Sequence, residues 1–395
     1  MTLLLDSLFN GISIGTVLLI AALGLAIVFG LMGVINMAHG ELMMLGAYTT
    51  FVVQNAFRPL GDPWRDLYIF PALVAAFAVT ALVGLALERG VIRFLYGRPL
   101  ETLLATWGVS LILQQFVRSV NWVLAFRLGA FAVLFFGGWW LLSRRADWPR
   151  LKGWTLALLL VLSTAIAAVG GRVLAQTYAL AVTQPWFGAQ NKDVTAPRWL
   201  GGGIPVGNLF LPNTRLFIIA LTILCILGLY FFLQRTRWGL RIRAVTQNRA
   251  MSACVGIPTQ KVDALTFAIG SGLAGVAGVA VSLLGSVGPN TGQNYIVDTF
   301  MVVVVGGVGK LLGSIVAALG IGIANFVIGS GTLALIFSNV PILTDTLNFF
   351  ATTSMAKVMV FALIVAFLQV RPRGLFPRKR SYGGCLGNDL AWRKL

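Results

Sequence analysis

The sequence predicts an all-α fold, a polytopic transmembrane helical bundle with about ten spans and with broken or re-entrant helices. Of the 395 residues, 58% are hydrophobic and only 11% are charged, whereas a soluble domain usually carries about 25% charged residues. The apolar residues form runs close to the length that crosses a hydrocarbon layer of about 30 Å. Lipid must therefore solvate much of the surface of this chain.

The predicted spans follow these apolar runs in order along the chain. The run 298–329 is too long for one span, and Gly306, Gly307, Gly309 and Gly313 interrupt it. We interpret it as a broken or re-entrant pair of helices, because irregular backbone at membrane depth requires protein or a cavity around it. The predicted spans are 11–31, 42–57, 68–87, 102–119, 121–142, 154–176, 214–234, 262–284, 298–329 and 355–370.

The positions of the basic residues predict the orientation of the spans. The net charge is +18, but Lys and Arg lie in short segments between apolar runs, which does not indicate nucleic-acid binding. Such segments normally face the cytoplasm, which places the N-terminus outside and the C-terminus inside. Arg118 and Arg127 fall at an outer turn and fit this scheme least well. The segments assigned to the cytoplasm are 88–101, 143–152, 235–261 and the basic tail 378–395.

No metal, cofactor or catalytic site is predicted. The chain has three cysteines without metal-ligand or redox spacing and a single histidine, His39, which excludes a multi-histidine metal site. No Ser/His/Asp set and no paired carboxylates can be assembled, so the chain is not predicted to be an enzyme. The segment 306–310 (GGVGK) lacks the glycine spacing and the Ser/Thr of a phosphate loop, so it is not predicted to bind ATP.

Polar residues in and beside the spans are candidates for a solute path. The segment 36–41 contains a carboxyl group between two apolar runs, where charge is costly unless it faces protein or water. It fits either a polar lining or a tight helix–loop–helix turn, and these are not exclusive. The segment 288–295 offers amide donors and acceptors, but it also fits an ordinary exterior turn. The candidates are Asn36, His39, Glu41, Gln114, Gln115, Asn290, Thr291 and Asn294.

The basic segment 236–257 (TRWGLRIRAVTQNRAMSACVGI) is too long and too organised for a simple connector. It combines helix-forming residues, small residues and a basic face, and it lies on the predicted cytoplasmic side. It fits either a helix that docks on a cytoplasmic partner or an interfacial helix held by anionic lipid.

Four motifs carry a family resemblance: 33–41 (GVINMAHGE), the segment 236–257, 300–309 (FMVVVVGGVG) and 371–376 (RPRGLF). Together they resemble the permease subunits of ATP-binding-cassette (ABC) importers for branched-chain amino acids and for urea. Within that family the chain is most similar to the urea-type permease B subunit, through 114–118 (QQFVR) and 187–191 (FGAQN). The intervening residues, about 120–185, depart from the family pattern, and we interpret them as an inserted transmembrane hairpin that preserves the sidedness of the following spans.

The resemblance implies a permease domain over 1–377 in a multi-pass protein of the cell inner membrane, with ATP hydrolysed by partner subunits. The implied partners are a second permease subunit, two cytoplasmic ATPase subunits, a periplasmic solute-binding protein and membrane lipid. The expected substrate is urea, with branched-chain amino acids as the alternative, and a self-sufficient channel or secondary transporter is the alternative of a different class. The residues expected to couple the permease to the ATPase lie within 235–261 and are Gly239, Arg241, Arg243, Ala244, Asn248, Ala253 and Gly256.

Overall fold

The computed structural model describes residues 2–62, 64–142, 148–177, 184–206, 209–332, 352–372 and 374–376. Thirteen α-helices and one two-stranded antiparallel sheet lie within these residues. The helices are α1 Thr2–Met32, α2 His39–Phe57, α3 Ile69–Gly90, α4 Pro99–Ser119, α5 Trp122–Leu142, α6 Trp148–Thr177, α7 Asn213–Arg235, α8 Arg237–Gln247, α9 Arg249–Cys254, α10 Thr259–Leu284, α11 Thr291–Gly306, α12 Leu311–Gly329 and α13 Thr353–Val370. The strands are β1 Gly203–Val206 and β2 Leu209–Pro212, with Gly203 opposite Pro212.

Eight helical segments of the described chain are long and apolar enough to cross a membrane, which confirms the polytopic helical bundle. The two predicted spans outside this set are also helices: α2 carries buried polar residues, and α13 is apolar but shorter. Protein covers 83% of the most apolar windows of α1 and α10, but only 6% of that of α5. The outward-facing side chains of α5 therefore resemble those of a lipid-facing helix.

The described chain divides into two compact units. The first unit comprises 1–35, 199–273 and the residues after 296. Within it α1 packs along α12, α7 lies beside α1, and α13 packs on α12. A Cβ atom at Gly15 would lie 2.9 Å from the carbonyl oxygen of Ala318. Glycine therefore lets the backbones of α1 and α12 approach closely, as small residues do between membrane helices.

The break between α11 and α12 also belongs to the first unit. Gly307 and Gly309 have φ angles of +95° and +82°, a left-handed region that glycine adopts without steric cost. Beyond α13 the chain returns to this break, where the Leu375 amide donates to the Val305 carbonyl oxygen at 2.8 Å. The broken pair of helices predicted for 298–329 is thereby confirmed.

The second unit comprises 36–198 and 274–296. Within it α2 packs on α3, and α4 lies against α2. The segment after α6 is pinned to the turn between α10 and α11, because Lys192 and Val287 exchange two backbone hydrogen bonds of 2.8 Å. Gln54 and Tyr68 fix the same segment by donating to the Thr195 carbonyl oxygen at 2.9 and 2.8 Å.

Helices α5 and α6 form a hairpin within the second unit and pack chiefly on each other. Its large apolar side chains are open to the surroundings: Val133 is 73% exposed and Leu158 is 68% exposed. Both spans predicted within 120–185 are thus helices, whereas their origin as an insertion stays a prediction. Residues 143–147, residues 333–351 and the basic tail lie outside the described residues.

Candidate functional site

Three buried polar residues lie at or just before the start of α2. Asn36, His39 and Glu41 are exposed by 2%, 0% and 1%. The Ala38 amide donates to Asn36 Oδ1 at 3.1 Å, and Ser110 Oγ of α4 donates to Glu41 Oε1 at 3.1 Å. Glu41 Oε2 and Asn36 Nδ2 are buried without a hydrogen-bond partner in the described chain. Such groups are costly to bury, so this site retains capacity to bind a polar group.

One face of α4 carries a row of polar residues at intervals of four positions. Thr102, Thr106, Ser110 and Gln114 are each at most 7% exposed, and Arg118 continues the row. Residues four apart lie on one helix face. Thr106 Oγ1 accepts from the Met37 amide at 3.1 Å, so this row contacts the segment before α2 as well as α2 itself. We call these five residues the polar row of α4.

The turn between α10 and α11 borders a cavity of about 440 Å³. Among the residues that the structure describes, its lining contains no carboxylate, ammonium or guanidinium group. Amide and hydroxyl groups predominate, and they provide both donors and acceptors. The lining residues are Asn191, Val281, Leu284, Gly285, Ser286, Asn290, Thr291, Asn294 and Tyr295.

Two members of the polar row reach this turn. Gln114 Nε2 donates to the Pro289 carbonyl oxygen at 3.1 Å and to Asn290 Oδ1 at 2.8 Å. Arg118 Nη2 donates to the same Asn290 oxygen at 2.6 Å. Thr291 Oγ1 accepts from the Gly288 amide at 2.8 Å. Hydrogen bonds therefore define the shape of the turn beside the cavity.

The predicted path residues fall into two groups. One lies at the start of α2, and the other surrounds the α10–α11 turn, where Gln114 contacts Asn290. Gln115 belongs to neither group, because it is exposed and points about 100° away from Gln114 around α4. Sequence reasoning missed Ser110 and Arg118, although their spacing from Gln114 was a usable signal. It also missed Asn191, which reaches the cavity only through the tertiary bridge at Lys192.

The predicted coupling segment forms two short helices, α8 and α9, separated at Asn248. Thr236 Oγ1 caps α8 by accepting from the Gly239 amide at 3.0 Å, and Asn248 Oδ1 caps α9 by accepting from the Met251 amide at 3.0 Å. Such caps satisfy amides that lack a helical partner. A Cβ atom at Gly239 would lie 2.7 Å from the Leu233 carbonyl carbon, so glycine is required where α8 folds against the end of α7.

The coupling segment presents one packed and one open side. Ile242, Val245 and Val262 form its buried cluster, whereas Leu240, Met251 and Val255 are exposed by 62%, 62% and 72%. Of the predicted coupling residues, Gly239 is buried, three are half-buried and three are exposed. The half-buried ones are Arg241, Arg243 and Ala244, and the exposed ones are Asn248, Ala253 and Gly256.

Ionic and aromatic contacts hold the coupling segment in place. The Arg241 guanidinium lies 4.9 Å from the centre of the Trp238 ring. Arg249 Nη2 donates to Asp263 Oδ2 at 2.6 Å, and the Asp263 side chain is only 5% exposed. This ion pair joins the start of α9 to the first turns of α10.

The apolar helices and their buried polar residues define a multi-pass membrane protein. The family model described as the permease component of the branched-chain amino acid transport system matches residues 7–145 and 184–368. The chain belongs to this family. The unmatched residues 146–183 fall within the predicted insertion and include all of α6.

Individual relatives agree with the family match. The chain is 24% identical over 376 residues to the high-affinity branched-chain amino acid permease protein LivH of Escherichia coli strain K12, covering 95% of this chain and 96% of LivH. It is 25% identical over 328 residues to BraD of Pseudomonas aeruginosa, another high-affinity branched-chain amino acid permease protein, covering 81% and 85%. It is 31% identical over 134 residues to the ribose import permease protein RbsC of Escherichia coli, covering 32% and 40%. No solved structure matches the chain significantly.

Proposed function

We propose that this chain is a transmembrane subunit of an ABC importer and that part of its solute path is lined by α2, α4 and the α10–α11 turn. The observation that carries the proposal is the polar row of α4. Four of its five members are buried in a span, and the row contacts polar groups at the start of α2 and at the edge of the cavity. Polar residues within membrane spans are costly and commonly mark a solute path.

The energy for transport is proposed to come from cytoplasmic ATPase subunits that bind the coupling segment. Leu240, Met251 and Val255 are exposed beside several Arg residues, and a combination of apolar and Arg side chains is typical of protein interfaces. Two ATPases, a second permease subunit and an external solute-binding protein would complete the importer. Any change of state requires that ATP or solute binds the two states unequally.

Branched-chain amino acids are the proposed substrates, because LivH and BraD are similar to this chain over most of its length. Urea is the second candidate. It is favoured by the uncharged, amide-rich lining of the cavity, whose donors and acceptors match a small neutral amide.

Uptake by the assembled complex tests both substrates. The chain would be purified with its permease, ATPase and binding-protein partners and reconstituted into liposomes with radiolabelled leucine or urea. We expect ATP-dependent accumulation of leucine in preference to urea. Preference for urea would select the second candidate. Uptake by this chain alone, without ATP, would support a channel or secondary transporter and contradict the proposal.

The coupling role is tested by Ala244→Glu, which places a bulky acid on the half-buried side of α8. We expect uptake to fall at least tenfold while the complex continues to hydrolyse ATP. Gln260→Glu, an exposed change in the first turn of α10 and outside α8 and α9, is the matched control and should transport normally. Normal uptake by a fully assembled Ala244→Glu complex would remove the coupling role.

The proposed orientation, with the N-terminus outside and the C-terminus in the cytoplasm, is tested through Cys254, which is free and exposed in α9. In a Cys385→Ser background, a membrane-impermeant maleimide should label Cys254 in inside-out vesicles but not in intact cells. Deletion of 122–184 should leave this pattern unchanged if those residues are an inserted hairpin. Labelling from outside the cell would contradict the orientation.

A further inference from the structure

The side chain of Asn290 is held in one orientation at the edge of the cavity. Gln114 Nε2 and Arg118 Nη2 approach the same side-chain atom at 2.8 and 2.6 Å. A guanidinium group can only donate hydrogen bonds, so the atom facing Arg118 must be the amide oxygen. The Asn290 amide nitrogen therefore belongs to the other side of the group.

This orientation determines what Asn290 offers to a solute. Its oxygen already accepts two hydrogen bonds, so its NH₂ group is the part left for the cavity that Asn290 lines. The side chain does not serve as a cap for α11, because its oxygen is occupied by two residues of α4. A structural role for the turn alone does not require this arrangement.

The charge of Arg118 strengthens the Asn290 NH₂ group as a hydrogen-bond donor. It is half-buried, and none of the ion pairs found between described residues includes it. Its guanidinium donates to the neutral amide of Asn290, and a hydrogen bond from an ionised donor is about twice as strong as a neutral one. The guanidinium therefore polarises Asn290 towards donation. This also gives a role to an Arg that the basic-loop pattern did not explain.

We propose that the Asn290 NH₂ group is the specificity-determining contact of the cavity and binds an oxygen acceptor of the solute, a carboxylate or a carbonyl. Gln114 and Arg118 are positioning residues that orient Asn290. The proposal rests on the proposed import function, and it specifies which end of the solute the cavity recognises. The positive charge behind Asn290 favours the carboxylate of an amino acid over the carbonyl of urea.

The variant Asn290→Asp tests the direction of the hydrogen bond. Asp has nearly the same shape and still accepts from Gln114 and Arg118, but it presents an oxygen to the cavity in place of an NH₂ group. We expect the Kd of the purified complex for leucine to rise at least tenfold, measured by saturation-transfer NMR without the binding protein. Gln293→Glu is the matched control, because it makes the same chemical change at an exposed residue of α11 outside the cavity lining.

Variants of Arg118 separate the two oxygen sources. Arg118→Gln should weaken leucine binding at least threefold and leave binding of leucinamide and urea, which lack the carboxylate, within twofold of wild type. Arg118→Lys should restore part of the leucine affinity, which a general loss of structure would not allow. If binding of all three ligands weakens equally, the solute oxygen that Asn290 binds is a carbonyl oxygen, which the same hydrogen-bond chemistry also permits.

The outcomes distinguish this inference from the proposed function. The inference would be overturned if Asn290→Asp bound leucine as tightly as the wild type does. It would also be overturned if the wild-type complex bound none of the three ligands, even where ATP-driven uptake proceeds. Absence of uptake of both leucine and urea by the wild-type importer would instead overturn the proposed function. If Asn290→Asp does not assemble, Asn290→Ala removes the donor without adding charge and must show the same loss of affinity.

Discussion

The contact of α2 with α10 predicts that a single methyl group at Gly278 destabilises the protein. A Cβ atom there would lie 2.7 Å from the Ala47 amide nitrogen and closer still to the Met43 carbonyl oxygen. Both neighbours are backbone atoms, so no side-chain rotation relieves the contact. Adding a methyl group to a packed interior typically costs about 1–3 kcal/mol, whereas Ala gains about 1 kcal/mol over Gly in helix preference. The net effect of Gly278→Ala is a destabilisation of up to about 2 kcal/mol.

Gly228→Ala in α7 is the matched control, because a Cβ atom there meets nothing within 4 Å. It keeps the helix preference of Ala without the clash, so its stability should equal or exceed that of the wild type. The assay is unfolding in mixed micelles with increasing dodecyl sulfate, followed by circular dichroism. We expect Gly278→Ala to unfold at clearly lower detergent fraction than Gly228→Ala. Coincident unfolding curves for the two variants would refute the inferred backbone contact.

Three further changes follow from particular contacts. Arg249→Gln removes the ion-pair partner of the buried Asp263 carboxylate, so it should lower the free energy of unfolding by about 1–3 kcal/mol. Lys261→Gln changes an exposed residue and should lower it little. The same unfolding assay compares the two variants. Thr236→Ala removes the cap of α8 and should weaken that helix by about 1 kcal/mol, visible as faster amide hydrogen exchange in its first turn. Glu41→Gln keeps the shape of the side chain, so the folded yield should be retained while solute uptake falls; undiminished uptake would exclude this carboxylate from the path.

The helices were predictable because each span needs a long apolar run, and nearly all such runs in the sequence are helical in the structure. The break between α11 and α12 was predictable for a similar reason, since glycines concentrate where the chain must adopt left-handed backbone angles. The partners of the helices were not predictable. That α1 packs along α12 depends on close approach at Gly15, and many other small residues in the sequence offer the same possibility.

The candidate site was predictable in its residue types and only partly in its geometry. The buried carboxyl of Glu41 and the amides after α10 were identified because polar residues in or beside apolar runs are conspicuous. Gln115 was included because it adjoins Gln114, although successive helical residues point in directions about 100° apart. Asn191 could not be predicted as a cavity residue, because a backbone bridge between segments far apart in the sequence brings it to the cavity.

The polar row of α4 restricts how this helix can move during any transport cycle. From Thr102 to Arg118 it extends about 24 Å at about 1.5 Å per residue, most of the hydrocarbon thickness of about 30 Å. The other side of the helix carries exposed Leu104 and Ile112, which suit lipid. Rotation of α4 about its axis would place the row in hydrocarbon and leave Glu41 without its Ser110 partner. Any movement of α4 must therefore carry α2 and the α10–α11 turn with it, or exchange those contacts for water or solute.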